Sequence, residues 1–562
     1  MNRKKRILWI GESSFLSTGF SVYGKEVLSR LYLSGKYDIA ELGAYGYQTD
    51  IRCLDLPWTY YCNMPVSPAE EEEYRSHGAN QWGRWRIHDV LLDFKPDIVC
   101  DIRDWWMMEF VEHNVFRDMF HWSIMPTIDS APQREQWLST YLNADSVCAY
   151  SEFGRNVLMD ESNGRVKFHN IASPAADYDV WKPHPNKKEL RGFLDLEENI
   201  FIVGTVMRNQ KRKLYPELIS AFKDFLIKYP ELGKKTFLYC HTAYPDLGWD
   251  IPRLIRESGI GHKILFTYAC QKCKHVFPSF FQDATQTCPR CKTGIARMPT
   301  SDRGIDNRQL SNIVNCFDIY VQYSICEGFG MPQIEAAACG VPIMAVNYSA
   351  MESVLKNLKG IPIRVQTLFR EAETHSYRAY PDNNDFVEKL ANFLNKPQDL
   401  RLKAGKDTYL LCRQNYTWDK TANVWDKIFD SVLVRPEVET WKRPPRILRP
   451  NLDIPTGLTN EQFVYWCIVN IWGEPQQLNS YVGLRMIRDL NYGQSILGNG
   501  GIFYDEESAI YGNTQYRPFV REQVVDELVQ LAEERNHWEE IRTSTAQREI
   551  PGFIQLAKKE KQ

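Results

Sequence analysis

The stretch Ile200-Phe201-Ile202-Val203-Gly204-Thr205-Val206-Met207-Arg208-Asn209-Gln210-Lys211-Arg212-Lys213-Leu214-Tyr215 decides the fold. Its first residues are a short apolar run closing on a glycine, which reads as a buried strand. From 215 to 229, Leu218, Phe222, Phe225 and Leu226 recur at helical spacing. Strand, loop and helix in that order make half of a βαβ unit. The alternation continues on both sides. Residues 236–240, 263–268, 319–322 and 342–346 are further strand candidates. Upstream, 7–10, 97–101, 121–128 and 146–150 alternate with helix-like segments at 22–33 and 87–94. The chain is therefore expected to be α/β, with two successive doubly wound halves. They join at Trp181-Lys182-Pro183-His184-Pro185-Asn186, whose two prolines suit a linker.

The expected division is a Rossmann-like unit over 1–182, a second over 183–433, and an extension over 434–562. Residues 435–455 carry five prolines and no periodicity. Residues 460–490 and 520–541 look helical, and the Gly- and Tyr-rich 497–512 reads as loop. The acidic run at 70–73 reads as a solvated helix face.

Composition narrows the function. The 562 residues are 43% hydrophobic and 25% charged, which excludes global disorder and a collagen-like or coiled-coil rod. The net charge of -3 gives no bulk attraction to nucleic acid or an anionic membrane. No apolar run approaches the ~18 residues a membrane span needs. The apolar run at 7–10 is too short for a signal segment. A cytoplasmic protein is the expectation. Of 14 cysteines, four cluster and ten are scattered singly, as reduced buried thiols are.

That cluster is Cys270-Gln271-Lys272-Cys273 and, after fourteen intervening residues, Cys288-Pro289-Arg290-Cys291. Two such knuckles place four thiolates tetrahedrally around one Zn²⁺, and four sulfurs leave no open position for water. The expected role is structural: a small zinc ribbon, 268–294, inserted in the second unit. Lys272, Lys274, Arg290 and Lys292 within it also fit a nucleic-acid-reading ribbon, although basic residues commonly flank ribbon cysteines.

Residues 208–213 follow the strand end at Gly204 and precede a helix. Ligands of open α/β sheets sit at strand carboxyl ends. Four cations beside a helix N-terminus suit a diphosphate. A third constellation, Glu327-Gly328-Phe329-Gly330-Met331-Pro332-Gln333-Ile334-Glu335, follows the strand at 319–322. One glutamate lies in a glycine-bearing loop and the other on a helix that Gly340 ends. Gly328 and Gly330 allow a ligand to approach the backbone. The first loop, Gly11 to Ser21, contains Gly19 but is neither a Walker A nor a G-x-G-x-x-G motif.

Residues 327–342 resemble the donor-site signature of the family-four retaining glycosyltransferases, with its pair of glutamates and trailing small-residue helix. Residues 204–222 are similar to that family's strand, Arg, five-residue step, Lys and helix, with Arg208 and Lys213 in the matching places. Ser151-Glu152-Phe153 resembles its strand-to-helix element, and 417–433 its tail helix. The likeness covers 6–433 and is strongest over 200–345. It departs at three places: an expected His-Asp is Ile128-Asp129 here, the first loop has a single glycine where many members have two, and the ribbon replaces a short loop.

The resemblance implies a GT-B fold, two facing Rossmann-like domains with the site between them, and transfer of a sugar from a UDP-, GDP- or ADP-sugar to an acceptor hydroxyl with retention. It implies that Arg208 and Lys213 hold the donor diphosphate without a catalytic metal, helped by backbone near Gly19 and by Gly328, Phe329 and Gly330. Glu327 would contact the sugar, Glu335 the ribose, and Asp129 the sugar or acceptor. A glycan or similar saccharide is the expected acceptor. Two rival classes are a glycosyltransferase acting on a hydroxylated base in DNA, which the acidic balance disfavours, and a non-catalytic sugar- or nucleotide-binding protein, against which the intact Arg208, Lys213, Glu327 and Glu335 speak. Asp101-Ile102-Arg103-Asp104-Trp105-Trp106 follows a strand and reads equally as an acceptor-facing segment or as packing at the strand edge.

Overall fold

A computed structural model describes residues 3–114, 116–194, 196–300, 304–434, 456–472, 480–497, 515–518 and 520–534. The first sheet contains β1 (Lys5–Glu12), β2 (Tyr37–Ala44), β3 (Thr59–Cys62), β4 (Ile98–Asp101), β5 (His121–Ile124), β6 (Ser146–Ala149) and β7 (Phe168–Ile171). The order is β3-β2-β1-β4-β5-β6-β7, and every pairing is parallel. Parallel strands need crossover helices, which cover both faces and bury the strands between them. Ile7, Leu8, Trp9 and Ile10 of central β1 are accordingly buried. β2 escaped the sequence expectation because Glu41 interrupts its apolar run. That carboxylate is fully buried and accepts hydrogen bonds from Ser14 N and Oγ, both at 2.7 Å, and from Trp58 Nε1 at 2.8 Å.

The second sheet is built on β8 (Phe201–Val206), β9 (Thr236–His241), β10 (Ile264–Cys270), β14 (Ile319–Gln322), β15 (Ile343–Val346) and β16 (Ile361–Ile363), all parallel. Three short strands extend it: β11 (Val276–Phe280), β12 (Thr285–Thr287) and β13 (Ile295–Arg297). The order is β12-β13-β10-β9-β8-β14-β15-β16, with β11 antiparallel to β10. The cysteine ribbon therefore grows out of the sheet edge, where it caps a strand that would otherwise present unpaired backbone groups. A two-stranded hairpin, β17 (Val365–Arg370) and β18 (Tyr377–Pro381), had no distinct sequence signal: its exposed residues mix polar Gln366, Thr367 and Arg370 with Leu368, Tyr377 and Tyr380, so no clean alternation results.

The helix Trp418–Ser431 returns to the first sheet's domain. Trp425 Nε1 donates to Tyr23 OH at 2.8 Å, and its ring meets Trp9 edge-on at 5.9 Å. Arg30 and Lys36 of the first unit pair with Asp419 and Asp426 of this helix. One hydrophobic core thereby runs through both units, and a second fills the other face of the first sheet. The acidic residues 70–73 lie on the helix Pro68–Arg75, none of whose residues is buried.

The extension has its own small core of Phe463, Trp466, Ile471, Met486, Val524 and Leu528 among others. It carries helices Asn460–Cys467, Tyr481–Tyr492 and Arg521–Glu534. A hairpin pairs β19 (Gln494–Leu497) with β20 (Gln515–Pro518). The proline-rich 435–455 and most of 497–512 lie outside the described residues.

Candidate active site

The loop between β8 and its helix is laced to the segment after β14. Ile325 N donates to Arg212 O at 3.0 Å, and Leu214 N to Tyr323 O at 3.1 Å. This brings two cations onto one carboxylate. Lys213 Nζ donates to Glu327 Oε1, and Arg212 Nη1 to Glu327 Oε2 at 2.8 Å. Gln322 Nε2 adds a bond to Oε1 at 2.5 Å, and Glu327 N donates to Ser349 Oγ at 2.9 Å. Glu327 is 3% exposed. Burial alone would raise its pKa; the Lys213 ammonium and Arg212 guanidinium outweigh burial and hold it at about 2. Glu327 is thus a fixed anion with its cations already in place.

Arg208 stands apart. Its Nε and Nη2 both lie 3.1 Å from the Asp246 carboxylate, and its side chain is half exposed. The cation that joins Lys213 at Glu327 is Arg212, which sequence reasoning passed over. The signal was present only as the run of four cations.

The first domain closes the other side. A Cβ on Gly19 would lie 3.9 Å from Met331 Sδ, and one on Gly328 would lie 2.4 Å from Thr127 Cγ2. Both glycines therefore sit where the two domains meet, and Gly328 leaves no room for a side chain. Gly330 has φ +86° and caps the helix Met331–Ala338, a conformation that favours glycine. Glu335 lies four residues after Met331 and so shares its helix face. The Glu335 carboxylate is half-buried, and burial raises its pKa to about 7. The Phe329 ring is 6% exposed and packs edge-on against Tyr416 at 5.7 Å.

Asp129 follows β5 and reaches across the cleft. Its Oδ1 accepts from Arg378 Nη1 at 2.8 Å, and its Oδ2 from Cys326 Sγ at 3.2 Å. Arg378, from β18, also donates to Glu371 Oε2 from Nε at 2.9 Å and Nη2 at 2.7 Å. Nothing in the sequence around Arg378 marked it. Asp104 is a further member: burial first, then the neighbouring Asp129 charge, raise it to about 6. Glu12, bonded to Thr18, is also raised by burial. The first domain thus offers the cleft Glu12, Asp104 and Asp129, while the second offers Arg212, Lys213 and Arg378. Such a split suits a reaction that develops positive charge on one fragment and negative charge on the other.

The four ribbon sulfurs lie within 4.8 Å of one another. Cys270 and Cys291 are 3.7 Å apart, as are Cys273 and Cys288. A tetrahedron with metal–sulfur bonds of about 2.3 Å has edges of about 3.8 Å, so the spacing fits zinc. Cys273 N and Gly294 N point at Cys270 Sγ and Cys291 Sγ at 3.4 and 3.3 Å. A Cβ on Gly294 would fall 2.5 Å from one sulfur and 2.9 Å from another, so the cradle depends on that glycine. The ribbon's Phe281 packs on Tyr244 and Phe266 at 6.1 and 5.8 Å.

Comparison with known proteins bears on this geometry. Residues 303–409 match the family Glycosyl transferases group 1, a span that contains Glu327 through Glu335. No curated protein matches the sequence. Among solved structures, sucrose-phosphate synthase from Thermosynechococcus elongatus is 16% identical, with TM-score 0.53 over 76% of this chain and 98% of its own. A glycosyltransferase from Rickettsia africae is 14% identical, with TM-score 0.51 over 77% and 99%. HepE of Anabaena, solved with UDP and glucose, is 12% identical, with TM-score 0.53 over 76% and 100%. The shared property is the fold, which is GT-B. Each of the three leaves about a quarter of this chain unmatched. No helix among the described residues is long and apolar enough to cross a membrane.

Proposed function

We propose that this protein is a retaining glycosyltransferase that moves a sugar from a nucleoside-diphosphate sugar to an acceptor hydroxyl, with a saccharide as acceptor. The observation that carries this is the buried Lys213–Glu327 pair, joined by the part-exposed Arg212, at the carboxyl end of the second sheet, facing Gly19 and Asp129 of the first domain. Ligands of open α/β sheets bind there. The family match over 303–409 and the GT-B fold support the same chemistry.

As the bond between the anomeric carbon and the diphosphate oxygen breaks, negative charge grows on the leaving diphosphate. Lys213 and Arg212 are preorganised to stabilise it, and Arg208 lies near enough in the same loop to meet the distal phosphate once its exposed pair with Asp246 opens. Lys213 and Arg212 are already held in place by Glu327 and need no reorganisation, which is what makes such charges effective. Glu327 keeps both cations ionised and in place and faces the sugar. Glu335, whose carboxylate has no partner among the described residues, has the acceptor oxygens a ribose needs. The backbone of Gly328, Phe329 and Gly330 lies against the donor, with the Phe329 ring serving to hold the loop. Asp129 and Asp104 face the positive side of the transition state, and the pKa of Asp104 near 6 suits a group that takes a proton at neutral pH.

In the ribbon, Cys270, Cys273, Cys288 and Cys291 would hold a structural Zn²⁺. A closed four-thiolate shell supplies folding free energy and no catalytic water. The test of the reaction is product stereochemistry. With an α-configured UDP-, GDP- or ADP-sugar, proton NMR of the product should show an α linkage. A β linkage would overturn retention, and absence of transfer across donors and saccharide acceptors would overturn the reaction.

A further inference from the structure

β14 runs Ile319-Tyr320-Val321-Gln322 between β8 and β15, and all four residues are at most 1% exposed. A parallel strand enclosed on both faces is ordinarily a continuous apolar run. A phenol and an amide in it lose their water, a cost that only hydrogen bonds offset. Tyr320 and Gln322 are two residues apart and so share one face of the strand. Tyr320 OH lies 2.5 Å from Gln322 Oε1, and Gln322 Nε2 lies 2.5 Å from Glu327 Oε1. A hydrogen-bonded line thus runs from inside the sheet to the carboxylate of the cleft.

Charge fixes the direction of that line. Against its burial, Lys213 and Arg212 hold Glu327 at about 2, so it is ionised and can only accept. The amide of Gln322 must then turn its NH₂ to Glu327 and its carbonyl to Tyr320, because a flipped amide would set oxygen against the anion. Tyr320 must donate, and it keeps the proton to do so: burial and the nearby Glu327 charge push its phenol well above the usual value. Val206 O, at 3.2 Å from the same hydroxyl, is the weaker contact.

The donors to Glu327 come from two places. Oε1 accepts from Lys213 Nζ and Gln322 Nε2, which fills both lone pairs of that oxygen. Among the described residues, Oε2 accepts from Arg212 Nη1 alone. Both cations belong to the loop after β8, whereas Gln322 belongs to the central strand. A carboxylate held by Lys213 and Arg212 alone would follow them when a diphosphate draws them to itself. The amide is neutral and has no such competing partner.

We propose that Gln322, oriented by Tyr320, is a positioning residue of the reaction. It saturates Oε1 and fixes the plane of the Glu327 carboxylate, so that Oε2 is the oxygen offered to a hydroxyl of the donor sugar. It does so at the step when the two cations are shared with the leaving group. The proposal rests on the glycosyltransferase reading.

The test uses the full chain with Gln322→Met, which keeps the side-chain length and removes the amide, with Tyr320→Phe, which removes one oxygen, and with both. Diphosphate release from UDP-, GDP- and ADP-sugars gives kcat and donor KM, and calorimetry gives the affinity for UDP, GDP and ADP. Gln322→Met should lower kcat about 10–10²-fold, the scale on which a misplaced group slows an oriented reaction. Donor KM and nucleotide affinity should not change, since the line touches Glu327 and no part of the nucleotide. Tyr320→Phe should lose less, and the double variant no more than Gln322→Met, because Tyr320 acts through the amide. Crystal structures read the position without turnover: the Glu327 carboxylate should hold one orientation in the native protein and rotate in Gln322→Met. If Gln322→Met does not fold, Tyr320→Phe bears the same test. Native kcat in the folded variants, additive losses, nucleotide affinity falling in step with kcat, or a Glu327 carboxylate unmoved in the variant would each overturn the proposal. Release from no donor by the native protein would instead count against the glycosyltransferase reading, and the crystal structures would then decide the positioning of Glu327.

Discussion

Arg378 of the second domain donates from Nη1 to Asp129 Oδ1 of the first at 2.8 Å, beside the thiol of Cys326 and directly before Glu327 in the chain. The guanidinium is 5% exposed and ties three elements together: the loop after β5, the loop after β14, and the β17–β18 hairpin. Removing one partner of so enclosed a pair leaves the other charge poorly compensated. Arg378→Ala and Asp129→Asn should each lower kcat/KM, and the double variant should lose no more than the worse single one. A double-mutant cycle should give a coupling of about 0.5–3 kcal/mol. Additive losses would show that the two residues act separately.

Glu327 and Glu335 have opposite electrostatics, and their variants should differ accordingly. Glu327, held at about 2 by its cations, stays ionised at all working pH values. Glu327→Gln should abolish transfer while free nucleotide still binds. Glu335 sits near 7 because burial disfavours its charge. A ribose hydroxyl donates best to the carboxylate form, so nucleotide affinity should rise as pH increases from about 6 to 8. The linkage to stability runs the other way: the folded pKa lies above the unfolded one, so charging Glu335 costs stability progressively from about pH 4.5 to 7. Calorimetry should show proton release on binding near pH 7, absent in Glu335→Gln. An equal loss of nucleotide affinity in both variants, or a flat pH profile in the native protein, would mean the roles are not divided in this way.

The ribbon makes a sharp prediction through Gly294. Its missing Cβ leaves room for Cys270 and Cys291 sulfurs that would otherwise lie 2.5 and 2.9 Å away. Metal analysis should find about one zinc per chain with sulfur-only ligation. Gly294→Ala should lower zinc retention and lower the melting temperature of the holoprotein, because metal affinity and local folding are one free energy. Since Phe281 of the ribbon packs on Tyr244, two residues before the Asp246 that holds Arg208, metal loss should also reduce transfer. Full zinc retention by Gly294→Ala would contradict the cradle.

Much of this was legible in the sequence, for identifiable reasons. β1, β8 and β14 are apolar runs ending in polar or glycine loops, which is how a central parallel strand looks. The knuckle spacing disclosed the cysteine cluster because chelation fixes local geometry. What stayed hidden depends on contacts distant in sequence. Glu41 inside β2 looks like a break until Ser14 and Trp58 are seen to satisfy it. Arg212 and Arg208 are indistinguishable as letters; only the lacing of Arg212 to Ser324 and Ile325 turns one toward Glu327. Arg378 lies in a hairpin with no motif, and its role exists only once Asp129 faces it.

The most direct test is release of nucleoside diphosphate from a panel of UDP-, GDP- and ADP-sugars by the native protein and by Lys213→Ala, with circular dichroism as the check on folding. Lys213 is 6% exposed and bound to Glu327, so its charge is preorganised for the leaving group, and losing one such donor typically costs about 10²–10³ in rate. The native protein should turn over at least one donor, and the folded variant should be slower by that factor at saturating donor. Turnover by Lys213→Ala equal to the native rate, or no release from any donor by the native protein, would contradict the assignment of this cleft to sugar transfer.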